Sequence, residues 1–232
     1  MKTVALHNLG RFGNLLFRYS YARALCEQNG YELRTQPWVG ERIFTLGDWP
    51  TRPRPTGTED IVIDEYRQAQ KDMIYTRADC RRWFALKPEI EAKLAGTPYP
   101  AAACAHFRRG DYVGSSYPLI SRRAVLNSME FFGIEPAGFV EVSEEFPCNA
   151  AEMPAGLEML PDFYRLMRAP VLFRANSSFS WWAATLGHGR VFSPLITGFA
   201  GGIEHDNVPY VEGNWPRLCE LEFVTDLYLK ES

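Results

Sequence analysis

Along the first 35 residues the apolar positions change their period twice. "TVAL" (3–6) is a short apolar run, "HNLGRFGN" (7–14) interrupts it with glycines, and the following stretch to Asn29 carries Leu15, Leu16, Tyr19, Ala22, Ala24 and Leu25 on one broad face. This spacing predicts strand, turn and helix, with "NG" at 29–30 as the helix stop and "YELRT" as a second strand. A βαβ unit is the expected result. The proline-rich "DWPTRPRPTGTED" (48–60) reads as surface loop and "IVID" after it as a short strand. The pattern between 38 and 95 predicts little else.

A second alternation starts at "YPAAACAHF" (99–107). It continues through a helix near Arg122 to Phe132, the strand "GFVEVS" (138–143), the helix "LPDFYRLMRA" (160–169), the strand "PVLFRA" (170–175), the helix "SSFSWWAATLG" (177–187) and the strand "GRVFSP" (189–194). Strands and helices alternating at this length imply parallel sheet covered by helices, hence an α/β fold. The expected organisation is an N-terminal lobe over 1–98 and a C-terminal lobe over 99–215, both Rossmann-like, with a ligand cleft between them. The tail 216–232, with "CELEFVTDLYL", is expected to form a terminal packing helix.

The 232 residues are 46% hydrophobic and 23% charged, which fits a folded globular chain and excludes a disordered one. A net charge of −3 argues against a nucleic-acid partner, which calls for a basic excess. The five cysteines, Cys26, Cys80, Cys104, Cys148 and Cys219, are odd in number and have no CxxC spacing, so a reducing compartment is expected. "MKTVALHNLG" is too short in its apolar part for a signal segment, and no run approaches a membrane span. A cytoplasmic location follows as the expectation.

Three loops that follow strand ends could carry chemistry. In "HNLGRFGN", Gly10 and Gly13 match neither GxGxxG nor GxxxxGK[ST]. The loop is either a tight strand–helix turn or a place where backbone approaches a ligand while Arg11 and Asn14 reach toward it. In "HFRRGDY" (106–112), an arginine offers a planar fork for phosphate oxygens that stays charged at any working pH. The alternative there is a structural Arg108–Asp111 ion pair with a solvated Arg109. In "RANSSFSWWAATLGHG" (174–189), Asn176, Ser177 and Ser178 suit a helix start, whose amides attract anions. An ordinary capped helix with Trp181 and Trp182 in the core is the competing reading. His7, His106, His188 and His205 lack ligand spacing, and neither an Asp-x-Asp pair nor GxSxG occurs. A metal-independent anion site is the remaining expectation.

"GRFGNLLFRYSYARAL" (10–25), "HFRRGDYV" (106–113) and "ANSSFSWWAATL" (175–186) together resemble, in this order, signature blocks of the bacterial-type α-1,2-fucosyltransferases. The related α-1,6- and protein O-fucosyltransferases share the His-x-Arg-Arg core. The resemblance implies a two-lobed GT-B-like fold, a GDP-fucose donor, a glycan acceptor, no cofactor, and inverting transfer without metal. By the same likeness Arg108 would hold the β-phosphate as the main catalytic group; Asn14, in the first loop, is expected to orient the acceptor without taking a proton. His106 would lie against the nucleoside, Arg109 and Asp111 would shape the loop, and Asp162 would accept from guanine. Ser178 would bind phosphate beside Asn176, Ser177 and Phe179, and Gly10, Arg11 and Gly13 would line the donor side. "VSEEF" (142–146) resembles a Ser-Asp-Asp motif with Glu144 and Glu145 in place of the aspartates. Leu15 and Arg18 replace glutamines usual in the first block, a change on the acceptor side. Two other readings stand beside this one: the same fold with another nucleotide-linked deoxysugar, and a non-catalytic nucleotide- or glycan-binding module.

Overall fold

The computed structural model describes residues 1–47, 53–98, 103–112, 119–137, 140–143 and 153–194, without the Gln70 side chain, together with the backbone of Phe223 and Val224. The chain divides into two compact units between Ala92 and Lys93, shortly before the expected boundary at 98.

In the N-terminal unit β1 (Thr3–Leu6) is the centre of a parallel sheet, flanked by β2 (Glu32–Thr35) and β3 (Ile61–Ile63). Helix α1 (Phe12–Asn29) connects β1 to β2 and stops where Gly30, at φ +66°, enters the left-handed region and its N–H reaches the Cys26 carbonyl. Only glycine does this without strain, so "NG" acts as the sequence suggested. The buried face of α1 is wider than its apolar stripe. Phe12, Leu16, Phe17, Tyr19, Ala22, Ala24 and Cys26 are buried, but so are Arg18 and Arg23, whereas Leu15 and Leu25 are only half-buried.

The reason lies in the segment the pattern left blank. The short α2 (Gly40–Ile43), α3 (Arg77–Trp83) and α4 (Pro88–Leu94) occupy it. Tyr19 stacks on Trp38 with ring centroids 4.9 Å apart and touches Phe84 at 5.7 Å, while Phe44 meets Phe84 at 5.2 Å. Arg23 lies over Trp83 at 4.8 Å and donates to the Leu46 carbonyl and to Glu27. An aromatic layer thus covers the second side of α1 and buries Arg23 with partners, the condition under which burial of a guanidinium is tolerable. Thr76 and Asp79 form a reciprocal cap at the start of α3.

In the C-terminal unit the sheet order is β5 (Val140–Ser143), β4 (Cys104–Phe107), β6 (Val171–Phe173), β7 (Arg190–Pro194) and β8 (Phe223–Val224). The first four are parallel and β8 is antiparallel to β7. Central β4 is buried at every position, as its run "CAHF" between two helix layers requires. One face packs on α5 (Arg122–Phe131) through Ala103, Ala105, Phe107, Ala124, Val125, Met129, Phe173 and Phe192. The described core also holds Phe163 of α6 (Leu160–Arg168) and Trp181 and Trp182 of α7 (Ser178–Leu186), all buried. Each such large side chain contributes about 2–3 kcal/mol on burial.

The strand at Phe223–Val224 corrects the expected terminal helix over 216–232 at these two positions. Val224 pairs with Ser193 and Phe223 with Pro194, so the open edge of β7, with unsatisfied backbone groups, outweighs the local helical period. The rest of that tail lies outside the described residues. Among the described residues no helix is long and apolar enough to cross a membrane.

Candidate functional site

The parallel strands of the C-terminal unit end along one edge, and the chain places its charge there. Strand β4 is buried to Phe107, and then Arg108 and Arg109 emerge half-buried before a tight turn over Gly110–Tyr112. Arg108 donates to Asp111 at 2.5 Å and lies over the Tyr112 ring at 5.4 Å, while Arg109 lies over Phe107 at 5.3 Å. The ion pair weighed as an alternative therefore exists. It does not seal the arginine, because the Asp111 side chain is 45% exposed, and a pair open to water holds by only about 0–1 kcal/mol.

One hydrogen bond joins this turn to the loop after β6. The Tyr112 hydroxyl donates to the Asn176 carbonyl at 2.9 Å. Asn176 and Ser177 are buried, and Ser177 caps α7 by accepting from the Phe179 amide at 3.3 Å. Ser178 and Phe179 open the helix half-buried. The capped-helix reading and the anion-site reading are thus compatible: one amide is used by Ser177, and the arginine turn is fastened beside the helix start.

Behind this edge lies a set of buried polar atoms without protein partners. Among the described residues His106 Nδ1, Ser143 Oγ and Asn176 Nδ2 make no hydrogen bond. They share the edge by register, since Ala105 of β4 pairs with Phe173 of β6, and Phe107 with Ser143 at the end of β5. A buried polar atom left unpaired costs about 1–3 kcal/mol, so these three sit at the strand edge at an energetic cost. Burial first, and the neighbouring Arg108 guanidinium second, push the His106 imidazole down from 6.5 to about 3. His106 is therefore neutral at ordinary pH, able to donate from one nitrogen and accept at the other. Its ring sits 5.6 Å from Phe179, which meets Phe163 of α6 at 5.2 Å. Asp162 precedes Phe163 in the first turn of α6 and is half-buried.

The fold resembles that of the fucosyltransferase NodZ. The NodZ α-1,6-fucosyltransferase soaked with GDP-fucose has a TM-score of 0.54 at 15% identity, over 83% of this chain and 94% of that chain. NodZ co-crystallised with GDP has a TM-score of 0.53 at 16% identity, and NodZ from Bradyrhizobium 0.53 at 15%, each with the same 83% and 94% coverage. No family model matches the chain, and no curated protein matches it. The likeness is one of fold, and it bears out the α/β, GT-B-like class expected from the sequence.

The remaining sequence candidates lie in the N-terminal unit. Gly10 is exposed at φ +85°, Arg11 is exposed at the N-cap position of α1 without capping it, and Gly13 is buried in the first turn. Asn14 is half-buried and its Oδ1 accepts from Gln68 Nε2 at 2.7 Å. Arg18 is fully buried and donates to the carbonyls of His7, Leu9, Ile63 and Glu65. It is an internal brace. Glu144 and Glu145 lie outside the described residues. Sequence reasoning missed Tyr112, Ser143 and Gln68, whose importance comes from partners distant in the chain. It also missed Arg174, wholly buried with its Nε donating to Ser193 Oγ at 2.6 Å between β6 and β7.

Proposed function

We propose that this chain is a glycosyltransferase that moves fucose from GDP-fucose to a hydroxyl of a glycan acceptor, with inversion and without a metal ion. The observation that carries the reading is the Tyr112–Asn176 hydrogen bond, which fastens the Arg108 turn beside the amide-bearing start of α7 on one sheet edge. The ring row from His106 to Phe163 and the unpartnered His106, Ser143 and Asn176 atoms beside it suit a nucleoside diphosphate, with Asp162 on the helix that carries Phe163. The solved NodZ structures that share the fold are described as soaked with GDP-fucose or crystallised with GDP.

In this mechanism the bond between the fucose anomeric carbon and the β-phosphate oxygen breaks as the acceptor oxygen forms a new one on the opposite face. Negative charge grows on the departing GDP and positive charge on the sugar. Arg108 and the Ser178 amide stabilise the first of these more in the transition state than in the ground state, which is what accelerates the step. Asn14 is assigned to orienting the acceptor hydroxyl, whose proton passes to water as its oxygen bonds the anomeric carbon. The sequence blocks resemble α-1,2 enzymes while the NodZ neighbours are α-1,6 enzymes, so linkage is read from the product.

The deciding experiment is thermal shift of the folded chain with GDP, UDP, CMP and GDP-fucose, with and without chelator. A melting-temperature rise confined to the guanine nucleotides and unaffected by chelator is the expected result. An equal response to UDP, or none to any of the four, sinks the GDP-sugar assignment. NMR of the product formed with a glycan panel then assigns linkage and anomeric configuration.

A further inference from the structure

The strand ends of the N-terminal unit carry a second prepared surface, formed by the loops after β1 and β3. The Tyr66 ring is 46% exposed, and its edge lies against Gly10: a Cβ at Gly10 would fall 2.8 Å from ring carbon Cε1 and 2.8 Å from Asn14 Nδ2. Glycine is required there to let the ring and the amide meet. Asn14 Oδ1 accepts from Gln68 Nε2 at 2.7 Å, which orients both amides. Among the described residues Asn14 Nδ2, Gln68 Oε1 and the Tyr66 hydroxyl make no further hydrogen bond. One aromatic ring, one amide donor and one amide acceptor are thus held side by side.

The surface is rigid for identifiable reasons. Arg67, between Tyr66 and Gln68, has φ +55°, a left-handed conformation uncommon for a side-chain-bearing residue. It is held by Glu65 at 3.2 Å, Asp72 at 3.4 Å and the Tyr21 ring at 4.6 Å. From below, buried Arg18 donates to the His7 and Leu9 carbonyls of one loop, to the Ile63 carbonyl at the end of β3 and to the Glu65 carbonyl of the other loop. Strain that surrounding contacts over-determine is a mark of functional loops.

We infer that this surface is a subsite for one neutral sugar ring of the acceptor glycan, with Tyr66 and Gln68 as acceptor-binding residues. The ring face suits the C–H groups of a pyranose, and the amide donor and acceptor suit its hydroxyls. The guanidinium groups here, Arg11, Arg18 and Arg67, all have protein partners, which disfavours a phosphate ligand. A single ring with two amides is also far below the roughly 800 Å² per partner of a protein interface. This inference rests on the sugar-transfer reading and adds the acceptor contacts to it.

Saturation-transfer NMR on the full chain tests it, with the methyl glycosides of galactose, glucose, N-acetylglucosamine and mannose as probes. At least one glycoside is expected to receive saturation from the wild-type chain, with affinity falling about tenfold in Tyr66→Ala and retained in Tyr66→Phe. Gln68→Ala, a second half-buried site that leaves the ring in place, is expected to weaken the same glycoside. Equal signals from wild type and Tyr66→Ala, or saturation of none of the four, overturn the inference. The GDP melting-temperature rise is recorded on the same samples and judges the donor assignment separately: its absence sinks that assignment, while the glycoside signals still decide the subsite.

Discussion

Both units end their parallel strands in a loop guarded by an arginine, and the two arginines do opposite things. Arg18 in the N-terminal unit is wholly buried and spends its donors on backbone carbonyls, so it holds loops together. Arg108 in the C-terminal unit is 14% exposed and faces a half-exposed Asp111 that water or a ligand can replace. At the strand ends the polar side chains differ in the same sense, although buried unpaired atoms such as Trp38 Nε1 and the Tyr75 hydroxyl occur elsewhere in the first unit. In the first unit Asn8 is engaged by Gln36 and Pro37, and Asn14 by Gln68. In the second, His106 Nδ1, Ser143 Oγ and Asn176 Nδ2 are buried without partners. The fold satisfies Arg18 from within, whereas the ion pair of Arg108 is open to water on its Asp111 side.

The largest effect that would break this contrast is catalytic. Arg108→Ala is expected to lower transfer about 10³-fold, or ~4 kcal/mol, while folding stability changes by less than about 1 kcal/mol. Steady-state kinetics and urea titration together measure both halves, and normal transfer would remove Arg108 from the chemistry. The converse variant, Arg18→Met, strands the carbonyls of His7, Ile63 and Glu65 and is expected to cost about 3 kcal/mol in the same urea titration. A stable Arg18→Met protein would show that the brace is dispensable.

A smaller effect is set by pH. The His106 pKa in the folded chain, about 3, lies below its ordinary 6.5, so the unfolded chain takes up the proton first. Stability is therefore unaffected by this group above pH 6.5, falls as pH drops below it, and the loss levels off below about pH 3. At about pH 5 the loss is about 2 kcal/mol. The stability difference between wild type and His106→Gln should shift by that amount between about pH 8 and pH 5, and a flat difference would mean that His106 is not held neutral. Tyr112→Phe removes only the hydrogen bond to Asn176 and is expected to weaken GDP binding about fivefold, ~1 kcal/mol, by calorimetry. Smallest of all, chelator is expected to leave transfer rates unchanged, and a loss restored by added divalent ion would replace the arginine mechanism with a metal-assisted one.

Much of the fold was legible because period and punctuation agree locally. The change of period at "TVAL", the "NG" stop, and the alternation from "CAHF" to "RVFSP" are contained within each element and do not depend on distant partners. The region 38–95 failed for the reverse reason. Trp38, Phe44, Trp83 and Phe84 follow no helical or strand spacing because they are placed to cover α1 and not to line their own elements. "TRAD" at 76–79 carried a readable capping signal all the same. Tail residues 223–224 went to strand because β7 offered an edge. In the candidate site the arginine turn and the serine-capped helix were visible as residue types, but Tyr112 and Ser143 were not.

The sequence by itself determined the α/β rhythm, the positions of the strand ends, and which residue types stand there, since hydrophobic period and turn chemistry act over a few neighbouring residues. Only the tertiary structure decided which arginine is sealed and which is exchangeable, which amides pair, and which buried polar atoms are left waiting. Those outcomes depend on hydrogen-bond partners 9 to 64 residues away, such as Leu9 for Arg18 and Asn176 for Tyr112, and on the burial that makes each missing partner costly.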